Sequence, residues 1–247
     1  MKIKLIGLAL LSAIGCSSAL AGENILYQVD GNSYEGYWAK VDDSAPLVLL
    51  VHDWDGLTDY EEQRADMLNK MGYNVFAVDL FGEGVRPTKM EDKRQHTGAL
   101  YQDRTKLRRL MVGGMDVAGK LGGNLDNTVV MGYCFGGAAV LESVRAGMKA
   151  KGFVTFHGGL QTPEGQSYGM SKSPLLILHG TADDAVTMQD FAQLASELES
   201  QKIPHEMITY GGAPHAFTVW GSDRYRKDAD EKSWQAFSNF LAENTKS

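Results

Sequence analysis

Residues 128–137 read Thr128-Val129-Val130-Met131-Gly132-Tyr133-Cys134-Phe135-Gly136-Gly137. A short apolar run with no polar alternation fits a strand covered on both faces of a parallel sheet. It ends in a glycine, and a cysteine follows between glycines. Residues 136–147 then carry a helix-length amphipathic pattern. Strand, glycine-flanked cysteine and helix make the pattern G-x-C-x-G, a nucleophile elbow with Cys in place of Ser. Such a turn packs backbone against backbone, so a side chain two residues either side of the nucleophile has no room.

The strand signature recurs on both sides of this stretch. Upstream it appears in Leu47-Val48-Leu49-Leu50-Val51 and Val75-Phe76-Ala77-Val78. Downstream it appears in Phe153-Val154-Thr155-Phe156 and Leu175-Leu176-Ile177-Leu178, and a last strand over residues 205–210 follows Pro204. Helix-length stretches at residues 58–71, 97–121, 136–147, 186–201 and 224–243 alternate with these runs. That alternation predicts a mostly parallel, doubly wound α/β sheet with helices on both faces. Ahead of it, residues 25–30 and 34–40 flank Gly31-Asn32-Ser33, which predicts an N-terminal antiparallel hairpin. Thr58 with Glu61 three residues on is a capping box, and Gly72 marks the end of that helix. With no repeat or linker in view, residues 22–247 are expected to form one domain.

The elbow implies a chemistry. It lifts the Cys134 sulfur to the carboxyl edge of the sheet, where the helix N-terminus favours a thiolate. The backbone N–H of Phe135 faces the place where an oxyanion would develop. In this arrangement the chain order is nucleophile, acid, histidine. The strand 175–178 is followed by His179-Gly180-Thr181-Ala182-Asp183-Asp184. Spacing from the glycine favours Asp183 as the acid, with Asp184 second and suited to a helix N-cap. His215, in the Gly/Pro loop after the last strand, is the candidate base. His157 and His179 sit at strand ends and suit packing or hydrogen bonding, while His96 and His205 read as surface residues. No metal-ligand spacing stands out. A second oxyanion donor is expected from the loop His52-Asp53-Trp54-Asp55-Gly56, with the Trp54 N–H favoured.

Taken together, Gly132-Tyr133-Cys134-Phe135-Gly136-Gly137, the Asp183 loop and Ala213-Pro214-His215-Ala216-Phe217 resemble the dienelactone hydrolase family of α/β-hydrolases. Gly82-Glu83-Gly84-Val85-Arg86-Pro87 and Phe156-His157-Gly158-Gly159 extend the resemblance over nearly the whole chain from Gly22. It implies hydrolysis of a small-molecule ester or lactone through a thioester on Cys134, with no cofactor. His215 would move the proton and Asp183 would orient its imidazole. The family carries a glutamate that activates the thiol, and Asp53 stands at that position here. Members grip a substrate carboxylate with arginines, one of them just after the catalytic histidine. Val219 falls there in this chain. Tyr133, Arg86 and Arg104 are the remaining candidates for substrate contact, with a structural salt bridge the plainer role for Arg104. Three other functions compete: an esterase or thioesterase of unrelated substrate, a non-catalytic binding protein on the same fold, and a thiol redox protein. The last lacks a C-x-x-C or a resolving cysteine.

The N-terminus points to export. Lys2 and Lys4 precede an apolar run from Leu5 to Ile14, and Ala19-Leu20-Ala21 offers a cleavage site before Gly22. Residues 1–21 are therefore expected to be a signal peptide, giving a periplasmic or secreted protein. Ala13-Ile14-Gly15-Cys16 also resembles a lipoprotein box, which would anchor the protein to a membrane at Cys16. Under either reading Cys134, the second of two cysteines, has no disulfide partner within the chain. The formal charge of −7 becomes −9 once the two lysines of the leader are removed. Acidity without a basic cluster argues against nucleic acid as partner. Lys106, Arg108 and Arg109 read as a solvated helix face.

Overall fold

The computed structural model describes residues 22–245. The stretch 1–21, on which the expectations of a signal peptide and of a lipoprotein box at Cys16 fall, lies outside them. The chain runs β1 (Glu23–Val29), β2 (Asn32–Ala39), β3 (Pro46–Val51), α1 (Asp59–Lys70), β4 (Asn74–Val78), α2 (Met90–Gln102), α3 (Arg104–Lys120) and β5 (Asn124–Tyr133). It continues with α4 (Phe135–Arg145), β6 (Gly152–Phe156), β7 (Leu175–Gly180), α5 (Met188–Ser200), β8 (His205–Tyr210) and α6 (Lys227–Asn244). The eight strands form one sheet in the order β1-β2-β4-β3-β5-β6-β7-β8. β1 pairs with β2, and β2 with β4, in antiparallel fashion. The pairs β4–β3, β3–β5, β5–β6, β6–β7 and β7–β8 are all parallel.

The lack of alternation in the strands has its cause in burial on two sides. Leu47, Leu49 and Val51 of β3 pack into one core with residues of α3, α4 and α5. Val48 and Leu50 of the same strand pack into the other core with Ala65 and Leu68 of α1 and Phe237, Phe240 and Leu241 of α6. Both faces of the sheet are therefore covered, as the doubly wound expectation requires.

Three local expectations are corrected. The hairpin turn is the pair Asp30-Gly31, at φ 52° and 76°, and Val29 faces Asn32 directly. Two consecutive left-handed residues are what a two-residue turn needs to match strand twist. The stretch 97–121 is two helices. Asp103, at φ −107° and ψ 75°, separates them, and its side chain accepts from the Lys106 N–H at the start of α3. Helix α5 begins at Met188 with Thr187 and Asp190 as its capping box, so Asp184 is not its cap. The capping box of Thr58 and Glu61 is present, and Gly72 takes φ 97° after α1.

Candidate active site

The elbow is built from absences. Cys134 caps α4 at φ 50° and ψ −111°, a conformation unfavourable for a residue with a side chain. A Cβ on Gly132 would lie 2.4 Å from the Gly136 carbonyl group. One on Gly136 would lie 2.3 Å from the Val51 oxygen, and one on Gly137 2.2 Å from Thr155 Oγ1. The glycines let β5, β3, β6 and α4 close on one another and fix the cysteine by its backbone. Its N–H donates to Phe156 O at 3.0 Å.

His215 arrives from the loop after β8. Its Nε2 lies 3.0 Å from the Cys134 sulfur and its Nδ1 2.8 Å from Asp183 Oδ2. Asp183 Oδ1 accepts from the N–H groups of Ala185 and Val186 at 2.9 and 2.8 Å. Burial alone would raise the Asp183 pKa, but the His215 hydrogen bond and these N–H groups hold it below the usual range. Asp184 points to solvent. A carboxylate accepting at Nδ1 places the imidazole proton there and leaves Nε2 to accept from the thiol. Cys134 is only partly covered, yet packing around its sulfur desolvates a thiolate and pushes the thiol pKa up. The nearby Asp53 adds to this, while the Phe135 N–H opposes it.

The loop after β3 carries Asp53 and Trp54. Its shape is held by His52, which receives the Leu80 N–H at Nε2 and pairs with Asp53 O through Nδ1, at 3.0 and 2.6 Å. Glu61, the capping residue of α1, also receives the Asp53 N–H at 3.4 Å. The Asp53 carboxyl is nearly inaccessible. Burial, its hydrogen bond with Asp55 and the Glu61 charge push its pKa well up. Burial thus disfavours the charged form of both the thiol and the Asp53 carboxyl.

Above them opens a pocket of about 370 Å³ whose lining includes Cys134, Phe135, His215, Asp53 and Trp54. Met90, Arg94, Thr97 and Tyr101 of α2 close one side, and Arg224 another. The structure thus brings together the expected triad, Asp53 and the two oxyanion candidates. Three other expected residues are elsewhere. Tyr133 is fully buried in the opposite core, with its ring against Tyr60 and Phe156 at 5.2 and 4.8 Å. Side chains alternate across a strand, so the one before the elbow points away from the pocket. Arg86 donates to the carbonyls of Val85, Glu35 and Gly82 and pairs with Glu35 and Asp79, which makes it a clamp on its own loop. Arg104 pairs with Glu142 at 3.0 Å and lines a different cavity. The pocket's cations are instead Arg94 and Arg224. Positions 90, 94, 97 and 101 fall on one helical stripe, but that stripe mixes polar and apolar types, and Met90 and Arg94 lie upstream of the predicted helix.

Comparisons with known proteins match the chain over most of its length. Residues 34–245 match the model of the dienelactone hydrolase family. A Saccharolobus solfataricus protein provisionally named carboxymethylenebutenolidase is 23% identical, covering 89% of this chain and 97% of its own. An Escherichia coli protein of the same provisional name is 22% identical over 83% of this chain and 80% of its own. Among solved structures, a dienelactone hydrolase-like promiscuous phosphotriesterase from metagenomic libraries superposes with a TM-score of 0.83 at 25% identity, covering 91% of this chain and 98% of its own. The acylaminoacyl peptidase of Pyrococcus horikoshii, at 15% identity and a TM-score of 0.73, shares the fold over 91% of this chain and 41% of its own.

Proposed function

The chain belongs to the dienelactone hydrolase family and is a hydrolase, and on that premise we propose that it cleaves a carboxylic ester or lactone through a thioester on Cys134. The observation that carries the reading is the His215 imidazole held between the Cys134 sulfur and Asp183, at 3.0 and 2.8 Å. In that geometry His215 Nε2 takes the thiol proton as the sulfur adds to the carbonyl carbon. A thiol with a raised pKa does not ionise in advance at neutral pH, so proton transfer accompanies attack. The oxyanion is received by the N–H groups of Phe135 and Trp54. His215 returns the proton to the departing alkoxide, which stays tethered when the substrate is a lactone. Water then attacks the thioester, its proton passes to His215, and the thiolate leaves and is reprotonated. Asp183 remains ionised throughout and keeps the imidazole oriented.

The substrate reading shifts with the structure. Val219 removes the arginine expected after His215, but Arg94 and Arg224 put two cations into the pocket wall. They favour a small ester or lactone that itself carries a negative charge.

The test is steady-state hydrolysis of an activated ester with rapid-quench intact mass. Wild type should carry a transient adduct equal to the acyl group, which Cys134→Ala lacks. Cys134→Ala and His215→Ala should each lose about three or more decades of kcat. Asp183→Asn should lose less, and the double variants little beyond the worse single one. Undiminished turnover by folded Cys134→Ala would sink the mechanism.

A further inference from the structure

A second cavity, also about 370 Å³, adjoins the catalytic pocket, and Tyr101 and Ala185 line both. Ala138, Gly159, Arg104 and Arg145 are among its other walls. Gly159 does not adopt a left-handed backbone, so its lack of a side chain has a spatial use. A Cβ there would come within 3.3 Å of the Ala138 methyl and 3.7 Å of the Tyr101 hydroxyl. Position 159 thus leaves space between Ala138 and Tyr101, and Tyr101 is one of the two residues that the cavities share.

The charge around this cavity is unbalanced. Glu142 of α4 is buried and receives Arg104 Nη1 at 3.0 Å, Arg108 Nε at 2.7 Å and Arg145 Nη2 at 3.0 Å. Burial would raise its pKa, but the hydrogen bonds of Arg145 and Arg108 hold it below the usual range. Three guanidiniums against Glu142 and the wall's Asp190 leave an excess of one positive charge, with Arg108 facing a different cavity. Arg145 also donates to Gln166 and Tyr168, so its other nitrogens are engaged. Arg104 has Glu142 as its one hydrogen-bond partner among the described residues, which leaves donors available at the cavity wall. The one carboxylate on that wall, Asp190, already accepts from the Thr187 backbone, the Thr187 hydroxyl and Gln161.

We propose that this cavity is a distal subsite for the far end of the substrate, and that it takes a carboxylate there on Arg104. The proposal rests on the ester or lactone reading above and narrows it to acyl groups that end in an anion. Because Arg94 and Arg224 already favour negative charge near the sulfur, the distal site is read by length as well as by charge.

The probes are p-nitrophenyl monoesters of α,ω-dicarboxylic acids of rising chain length, each paired with the neutral alkanoyl ester of equal length. The ratio of kcat/KM, anionic over neutral, should rise by about tenfold or more at the length where the carboxylate reaches Arg104. Arg104→Gln should abolish that rise. Arg109→Gln, an exposed arginine paired with Asp30, should keep it. Gly159→Val should depress turnover of long esters of both charges relative to short ones. Should Arg104→Gln not fold, competitive inhibition of wild type by free dicarboxylates gives the same reading, with potency expected to rise with length. A ratio flat with length, or a rise that survives Arg104→Gln, overturns the subsite alone. Absence of Cys134-dependent turnover of even short neutral esters overturns the ester reading, and the subsite falls with it.

Discussion

Cys134 and His215 meet at 3.0 Å, but they are held there by different means. The cysteine is fixed by backbone closing on backbone, with three glycines leaving no space for movement. The histidine sits on a loop tied down by side chains from distant parts of the chain. Arg64 of α1 donates to Thr218 O at 3.0 Å, and Tyr60 OH pairs with Thr218 Oγ1 at 2.7 Å. His157 Nε2 pairs with the same hydroxyl at 2.8 Å, and its ring lies 5.4 Å from that of His215. Burial, then the neighbouring His215, pushes the His157 pKa well down, so this support stays neutral. Arg64 itself is caged by Trp220, Trp234 and Tyr60, at 4.0, 5.0 and 5.2 Å from the ring centres, and paired with buried Asp230. The proposed nucleophile is placed by steric necessity and the proposed base by a polar network, and the two should fail in different ways.

The sharpest break is at the elbow. Gly136→Ala puts a methyl 2.3 Å from the Val51 oxygen and 2.5 Å from the His52 oxygen. Neither backbone can retreat without parting β3 from α4. The expected result is insoluble protein, or a loss of about 3 kcal/mol or more in urea unfolding. Wild-type stability in Gly136→Ala would refute the steric account.

On the other side of the comparison, Arg64→Met leaves Asp230 buried without its partner. It should cost about 3 kcal/mol. Because the histidine loop also loses its donor at Thr218 O, kcat should fall more than KM rises in the protein that remains folded. A variant that is destabilised but has unchanged kcat would confine Arg64 to a structural role.

Glu61 joins the two regions, since it caps α1 and holds the Asp53 N–H. Burial, working against the Thr58 hydrogen bonds, pushes its pKa from 4.5 up to about 7. The folded chain binds this proton more tightly than the unfolded chain does. The associated stability is complete below about pH 4.5 and is lost as the pH rises through 7. It amounts to about 3 kcal/mol at most. Glu61→Gln should flatten unfolding free energy over that window, and a profile as steep as wild type would exclude Glu61 as its source.

The smallest effect concerns charge in the pocket. Arg94→Gln or Arg224→Gln should each lower kcat/KM for a short anionic ester about tenfold, and less for its neutral counterpart. Equal losses on both would remove charge recognition from these positions.

The same contrast governs what could be read from the sequence. Steric requirements leave local marks, so Gly132, Cys134, Gly136 and Gly137 announce the elbow. Two-sided burial leaves apolar runs, so the parallel strands were foreseen within a few residues. The chain order of the fold then pointed to Asp183 and His215. The polar network leaves no local mark. Arg64, Tyr60 and Thr218 are ordinary residues until α1, the histidine loop and α6 meet, and nothing near position 224 signals a pocket cation. Asp103 was missed for a related reason: it interrupts a helical pattern without glycine or proline. Arg86 failed as a substrate contact because the carbonyls that hold it belong to its own loop and to Glu35 across the sheet.

The interruption at Asp103 has a bearing on how such a protein changes over time. It makes α2 a helix of its own, with only Thr97 and Leu100 buried, that lines one side of the pocket. Its pocket-facing stripe is Met90, Arg94, Thr97 and Tyr101. Three of these four lie outside the core. Changes at exposed or half-exposed helical positions of this kind shift stability by about 0.5 kcal/mol or less. New selectivity can therefore be sampled on α2 nearly independently of foldability, while the glycines of the elbow stay fixed. A library confined to these positions would vary what enters the pocket and leave the machinery that acts on it untouched.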